Sequence, residues 1–257
     1  MRRFFAFVLI LLASTAARAT TVRVAVAISL KEAVTEIGKS FESDSGDKVE
    51  FTFGSSGQLQ GQIKNGAELD LFISAANKQV DELTHDELVA AETRRVVAGN
   101  SLVLVVPADA KDAPSSFEAL ADPSVKRLAT GEPKTVPAGQ YTAQVLKKLG
   151  LTDKLADRLV YGANVRQVLG YVERGEVTAG IVYLTDAKES GDKVKVVATA
   201  APDTHDPIVY PAVVIKASKQ PDAAKRFLDY LGSEKARDVL TAKGFSAGAD
   251  VPADKKP

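Results

Sequence analysis

The sequence predicts an α/β protein of two lobes with a ligand cleft between them. Three observations lead there. From Thr21 to Leu83, apolar β-type runs alternate with helical patterns in the order β-α-β-α-β, which implies a parallel sheet with right-handed crossovers. A second alternating stretch fills the middle of the chain. A late apolar run, Pro211 to Ile215, precedes two helical patterns that suit the first lobe. The chain then crosses between lobes twice, and such a pair of crossings makes a hinge. The expected divisions are a leader over 1–19, a first lobe from 20–104 and 209–248, a second lobe over 105–208, and a disordered tail over 249–257.

Each element follows from local pattern. Thr21 to Ile28 (TVRVAVAI) is a near-continuous β run, suited to a strand buried on both faces. Ser29 reads as an N-cap, with Glu32 three residues on completing a capping box. Leu30 to Phe41 is amphipathic, with Leu30, Ala33, Val34, Ile37 and Phe41 on one face. Ser45-Gly46-Asp47 turns the chain into a strand over 49–53. At Gly54-Ser55-Ser56-Gly57 that strand hands over to a helix, 58–65, which ends at Asn65-Gly66. Leu69 to Ser74 is a third strand and Asn77 to Leu83 a short helix. Ser101 to Pro107 is a strand, 109–114 a surface linker and Leu128 to Thr130 a short strand. Gln140 to Leu149 is helical and ends at Gly150. Asn164 caps a helix from Val165 to Arg174, which Gly175 ends. Ala179 to Tyr183 is a strand, Thr185-Asp186 caps the next helix, and Val194 to Ala198 is a strand. Ala223 to Leu231 and Ser233 to Leu240 are helices. The tail after Gly248 is rich in Asp, Lys and Pro and lacks the apolar residues to fold.

The first 19 residues have a basic start (Arg2, Arg3), an apolar run (Phe4 to Leu12) and a small-x-small site at Ala17-Arg18-Ala19. This is the pattern of a secretory signal peptide, so the mature chain of about 238 residues is expected to be exported. The chain has no cysteine, which removes disulfides, thiolate chemistry and cysteine-ligated metals. Without the three leader arginines it carries 30 basic against 33 acidic residues. That balance argues against nucleic acid as a partner.

Five strand-to-helix junctions carry small or donor residues: Ser29; Ser55-Ser56-Gly57; Pro137-Ala138-Gly139; Asn164-Val165; and Tyr183. Ligands in open α/β sheets sit at the carboxyl ends of strands, where free N–H groups and the positive end of the helix dipole collect. An isolated Ser-Ser-Gly is ordinarily only a helix cap; its recurrence in kind across both lobes points to an anion site. No cation lies within these motifs, and Lys31 and Arg166 are the nearest. Neutral donors suit a fully deprotonated oxyanion, whereas a protonated one wants an acceptor such as Asp70 or Asp186. Catalytic readings fare worse. Gly54-Ser55-Ser56-Gly57 is not a nucleophile elbow, since Gln58 stands where the last glycine belongs. His85 and His205 lie in polar turns and form neither a triad nor a spaced metal-ligand set.

Segments across Val22 to Phe245 carry a resemblance. They include Phe53-Gly54-Ser55-Ser56-Gly57-Gln58-Leu59, Asp70-Leu71-Phe72-Ile73-Ser74-Ala75, Val136-Pro137-Ala138-Gly139-Gln140-Tyr141, Asn164-Val165-Arg166-Gln167 and Gly180-Ile181-Val182-Tyr183-Leu184-Thr185-Asp186. The chain resembles the periplasmic molybdate-binding proteins of ABC importers, and the order of the segments makes the likeness specific. The resemblance implies a type II solute-binding fold in the periplasm and an oxyanion, molybdate or tungstate, held by Ser29, Ser56, Ala138, Val165 and Tyr183. Serine and tyrosine hydroxyls and the N–H groups of Ser29, Ser56, Ala138 and Val165 would be the donors. It also implies a monomer that is not an enzyme, needs no cofactor and binds no bare metal cation, and that hands its ligand to an ABC permease. One departure is Ile28, where the family often has alanine; it shifts the Ser29 backbone without removing a donor. A binder of another tetrahedral oxyanion such as sulfate, and a secreted serine hydrolase, are the alternatives.

Overall fold

The computed structural model describes residues 19–247. The expected signal peptide, apart from Ala19, and the expected disordered tail lie outside these residues.

In chain order the elements are β1 (Thr21–Ala27), α1 (Lys31–Ser45), β2 (Lys48–Gly54), α2 (Ser56–Lys64), β3 (Leu71–Ile73), α3 (Asn77–His85) and β4 (Arg95–Gly99). There follow β5 (Leu102–Pro107), β6 (Leu128–Gly131), α4 (Pro137–Lys148), α5 (Thr152–Leu155), β7 (Leu159–Gly162), α6 (Val165–Glu173), β8 (Ala179–Tyr183), α7 (Leu184–Ser190) and β9 (Val194–Thr199). The chain ends with β10 (Val209–Val214), α8 (Pro221–Leu231), α9 (Glu234–Ala242) and β11 (Ser246–Ala247).

Two sheets organise the chain. The first has six strands in the order β11-β4-β10-β3-β1-β2, the second five in the order β7-β6-β8-β5-β9. Strands β1, β2 and β3 are parallel, as their alternation with helices requires. The late strand β10 returns to this sheet antiparallel, between β3 and β4. In the second sheet β6 pairs in parallel with β7 and β8, while β5 runs antiparallel to β8 and β9. The chain passes between sheets at Asn100-Ser101 and again between β9 and β10, giving two lobes.

The lobe boundary expected at 104/105 cuts through β5. All of Leu102 to Pro107 belongs to the second sheet, with Leu102 opposite Tyr183. The apolar run marks a strand buried on both faces, but its partners come from distant chain. Strands β4, β7 and β11 went unread: each is short, β11 is two residues, and β7 is an edge strand with an exposed Tyr161. β10 begins at Val209, ahead of the expected Pro211, and absorbs the proline at a register shift between Tyr210 and Pro211. A proline has no ladder donor, so a bulge is where it fits.

Helix starts decide where the cleft groups point. Ser55 caps α2 in a reciprocal capping box with Gln58. Asn164 caps α6 by accepting from the Gln167 N–H at 3.0 Å. Ser29 does not cap α1. A 3-10 turn over Ile28–Leu30 intervenes, and α1 starts at Lys31 with no side-chain cap. Thr185 and Asp186 are likewise not caps; they lie inside α7, whose N-cap is Tyr183. Helix α4 starts at Pro137, three residues before the expected Gln140, because proline at the first position has no N–H to leave unpaired.

Candidate ligand-binding site between the lobes

All five expected residues meet in one place. Ser29 follows β1, Ser56 follows β2, Ala138 and Val165 open α4 and α6 beyond β6 and β7, and Tyr183 ends β8. Together they line a small cavity of ≈ 10 Å³, about the room one water needs. Each is buried.

Residues that carry donor groups stand around the cavity. Ser56 and Val165 are the first residues of α2 and α6, and Ala138 is the second of α4. Their N–H groups belong to the first turn, where no helix carbonyl can accept them. Gly139 lets this happen at α4: a Cβ there would lie 2.1 Å from the Gly131 carbonyl oxygen, so only glycine lets the helix start press against the end of β6. The Tyr183 hydroxyl is buried and has no hydrogen-bond partner among the described residues. Burial, with Tyr210, Tyr141 and Asp186 nearby, pushes its pKa far up, so it keeps its proton and stays a donor. Ser56 Oγ accepts the Ala75 N–H at 2.9 Å. Ser29 Oγ lies 3.0 Å from Tyr210 Oη.

Arg166, next to Val165 in the chain, is engaged by two carboxylates. Arg166 Nη2 lies 2.6 Å from Glu32 Oε2, and its Nε lies 2.6 Å from Asp186 Oδ1. Asp186 is fully buried, and burial pushes its pKa up to about 6 against the pull of Arg166. It faces Arg166 and does not line the cavity. Asp70, the other candidate acceptor, takes the Arg23 N–H at 2.8 Å and the Ser218 hydroxyl at 2.6 Å, away from the site.

Contacts that join the lobes here include an ion pair and a backbone hydrogen bond. Glu32 of α1 meets Arg166 of α6. The Gly57 N–H of α2 donates to the Thr135 carbonyl at 2.9 Å. A Cβ on Gly57 would sit 2.6 Å from that oxygen. Gly57 therefore serves the close approach of the other lobe. Sequence reasoning also missed Tyr210 and Asn100 beneath Ser29. Tyr210 sits in an apolar run and reads as core, and nothing local marks it otherwise.

The serine-nucleophile alternative lacks its base. His85 is exposed at the end of α3, and His205 packs edge-on against Tyr141 with Nδ1 2.7 Å from the Asp206 carbonyl. Neither lines the cavity.

Known proteins share this architecture. The family model "Bacterial extracellular solute-binding protein" matches residues 22–246. A molybdate-binding protein of Haemophilus influenzae is 41% identical over 240 residues, covering 90% of this chain and 92% of its own. The solved periplasmic molybdate-binding protein of Azotobacter vinelandii superposes with a TM-score of 0.77 at 26% identity, over 87% of this chain and 98% of that one. A sulfate-binding protein of Mycobacterium tuberculosis reaches the same TM-score, 0.77, at 15% identity, over 89% and 87% of the two chains. Backbone shape alone thus does not choose the anion. The family match over nearly the whole described chain, with relatives that are binding proteins and not enzymes, places this chain among the bacterial extracellular solute-binding proteins.

Proposed function

We propose that this protein captures molybdate, and tungstate with it, outside the cytoplasm and delivers it to an ABC permease. The observation that carries the reading is a small cavity among buried residues, with first-turn N–H groups around it, a Tyr183 hydroxyl that has no partner among the described residues, and Arg166 engaged by carboxylates. Ser29, Ser56 and Tyr183 would give hydroxyl donors, and Ser29, Ser56, Ala138 and Val165 backbone donors. Such a set favours a tetrahedral dianion that brings no proton of its own. The identity to molybdate-binding relatives supports the choice of anion. The protein works as a monomer in the periplasm, without a cofactor, and no bare metal ion is bound: molybdenum enters as the oxyanion.

Sulfate is the second reading, favoured by the sulfate-binding protein that shares the fold. Size separates the two. Donors fixed at helix starts on two lobes cannot all close in on a smaller anion, and bonds stretched beyond about 3.2 Å weaken. A thermal-shift panel tests the assignment. Molybdate at a hundred times its dissociation constant is expected to add about 2.7 kcal/mol of stability, with sulfate at equal concentration adding little. Equal stabilisation by both would move the protein to the sulfate reading.

A further inference from the structure

We propose that Tyr210 is a positioning residue that holds Ser29 as an outward hydrogen-bond donor and so excludes anions that carry a proton. The inference rests on the oxyanion reading above and concerns how the same site discriminates.

The direction of the proton follows from the partners. Asn100 Oδ1 accepts the Ser101 N–H at 2.8 Å, which identifies the other end of the amide as nitrogen. That Nδ2 donates to Tyr210 Oη at 3.1 Å and to Thr185 Oγ1 at 2.8 Å. Tyr210 is fully buried. Its oxygen already accepts from Asn100, and its own hydrogen still needs an acceptor. Ser29 and Asn100 are the hydrogen-bond partners of Tyr210 among the described residues, and Asn100 donates. Ser29 Oγ, at 3.0 Å, is the acceptor. If Ser29 donated to Tyr210 instead, the phenol hydrogen would be buried without a partner, an arrangement native interiors avoid. Burial pushes the phenol pKa far up, with the Asp186 charge adding to it, so the proton stays on Tyr210.

The order is therefore Asn100 to Tyr210 to Ser29, and the Ser29 hydrogen is left for the cavity. Ser56 is treated the same way by a different device: its Oγ accepts the buried Ala75 N–H, and its hydrogen too is left for the cavity. A dianion with no hydrogen accepts from both serines. Monohydrogen phosphate brings a hydroxyl that meets donors already turned towards it, and loses a hydrogen bond.

Calorimetric titration at mildly alkaline pH, where phosphate is chiefly the monohydrogen dianion, tests this with molybdate, sulfate and phosphate. In Tyr210→Phe, Ser29 is free to turn and accept. The phosphate-to-sulfate affinity ratio is expected to rise roughly tenfold, the scale of one hydrogen bond gained. A loosened site would shift both anions alike and leave the ratio unmoved. In a Ser29→Ala background, Tyr210→Phe should leave the ratio unchanged, because Tyr210 acts through Ser29. Asn100→Asp offers a second route that keeps the Tyr210 packing: an acceptor replaces the amide donor, reverses the chain and should raise the same ratio. Sulfate and phosphate then meet the added charge alike. An unchanged ratio in Tyr210→Phe, phosphate still undetectable there beside measurable sulfate, or the same rise without Ser29 would overturn the proposal while leaving the oxyanion reading intact. A wild-type protein that binds none of the three anions would overturn both.

Discussion

Removing the Tyr183 hydroxyl and removing the Ser56 hydroxyl are expected to do different things. Tyr183 Oη has no partner within the described protein, so Tyr183→Phe takes away an unpaired buried group. The unliganded protein should be no less stable, while molybdate binding falls roughly tenfold or more as a donor to a charged acceptor is lost. Ser56→Ala should weaken binding by a similar factor, and it also strands the buried Ala75 N–H, at about 1–3 kcal/mol of stability. Chemical denaturation beside calorimetry separates the two; equal stability losses would mean that the Tyr183 hydroxyl has a partner after all. Asp186 gives a prediction in pH. Its folded pKa is about 6 against an ordinary 3.8, so the unfolded chain releases this proton first as pH rises. Its stabilising contribution is then whole below about pH 4 and is lost as pH climbs through about 6, on the order of 3 kcal/mol. Asp186→Asn should flatten that part of the stability curve, which urea titrations across the range would register. The hydroxyl residues were legible because each stands where a strand ends. The rest was not. Asp186 looks like a cap beside a helix start, and its pairing with Arg166 comes from chain distant in sequence. Ser29 looks like a cap as well, until a 3-10 turn moves the helix start past it.

At the scale of elements, the contact between the start of α2 and the loop before α4 is the sharpest test. Gly57 leaves no room for a side chain against the Thr135 carbonyl, 2.6 Å from where a Cβ would stand. Gly57→Val should leave each lobe folded and hold the lobes apart. Molybdate affinity should drop roughly tenfold or more, and small-angle scattering should show less contraction on adding molybdate than in the wild type. Full affinity in this variant would show that the contact is incidental to binding. The elements around this contact were readable because pattern and caps agreed. Asn164 caps its helix as the sequence implies, Ser55 closes the start of α2 with Gln58, and the apolar face of α1 is buried at Ala33, Val34, Ile37 and Phe41. Element partners were less readable. β5 is obvious as a strand, yet only its pairing with β8 and β9 assigns it to the second lobe. β4 starts on Arg95, directly after Arg94, and reads as loop until β10 and β11 flank it.

The whole molecule joins two sheets by two chain crossings and sets the donor residues where they face each other. Residues from 29 to 183 converge on a cavity that neither lobe makes alone. The Glu32–Arg166 pair and the Gly57–Thr135 bond link the two lobes. The same fold carries a sulfate-binding protein and a molybdate-binding one, so in the proposed function selectivity comes from the spacing and polarity of the donors. Calorimetric titration of the wild-type protein with molybdate, sulfate and phosphate, at one pH and ionic strength, tests this most directly. The account predicts tight molybdate binding, sulfate far weaker and phosphate weaker still. Sulfate within tenfold of molybdate, or phosphate tighter than sulfate, would contradict it.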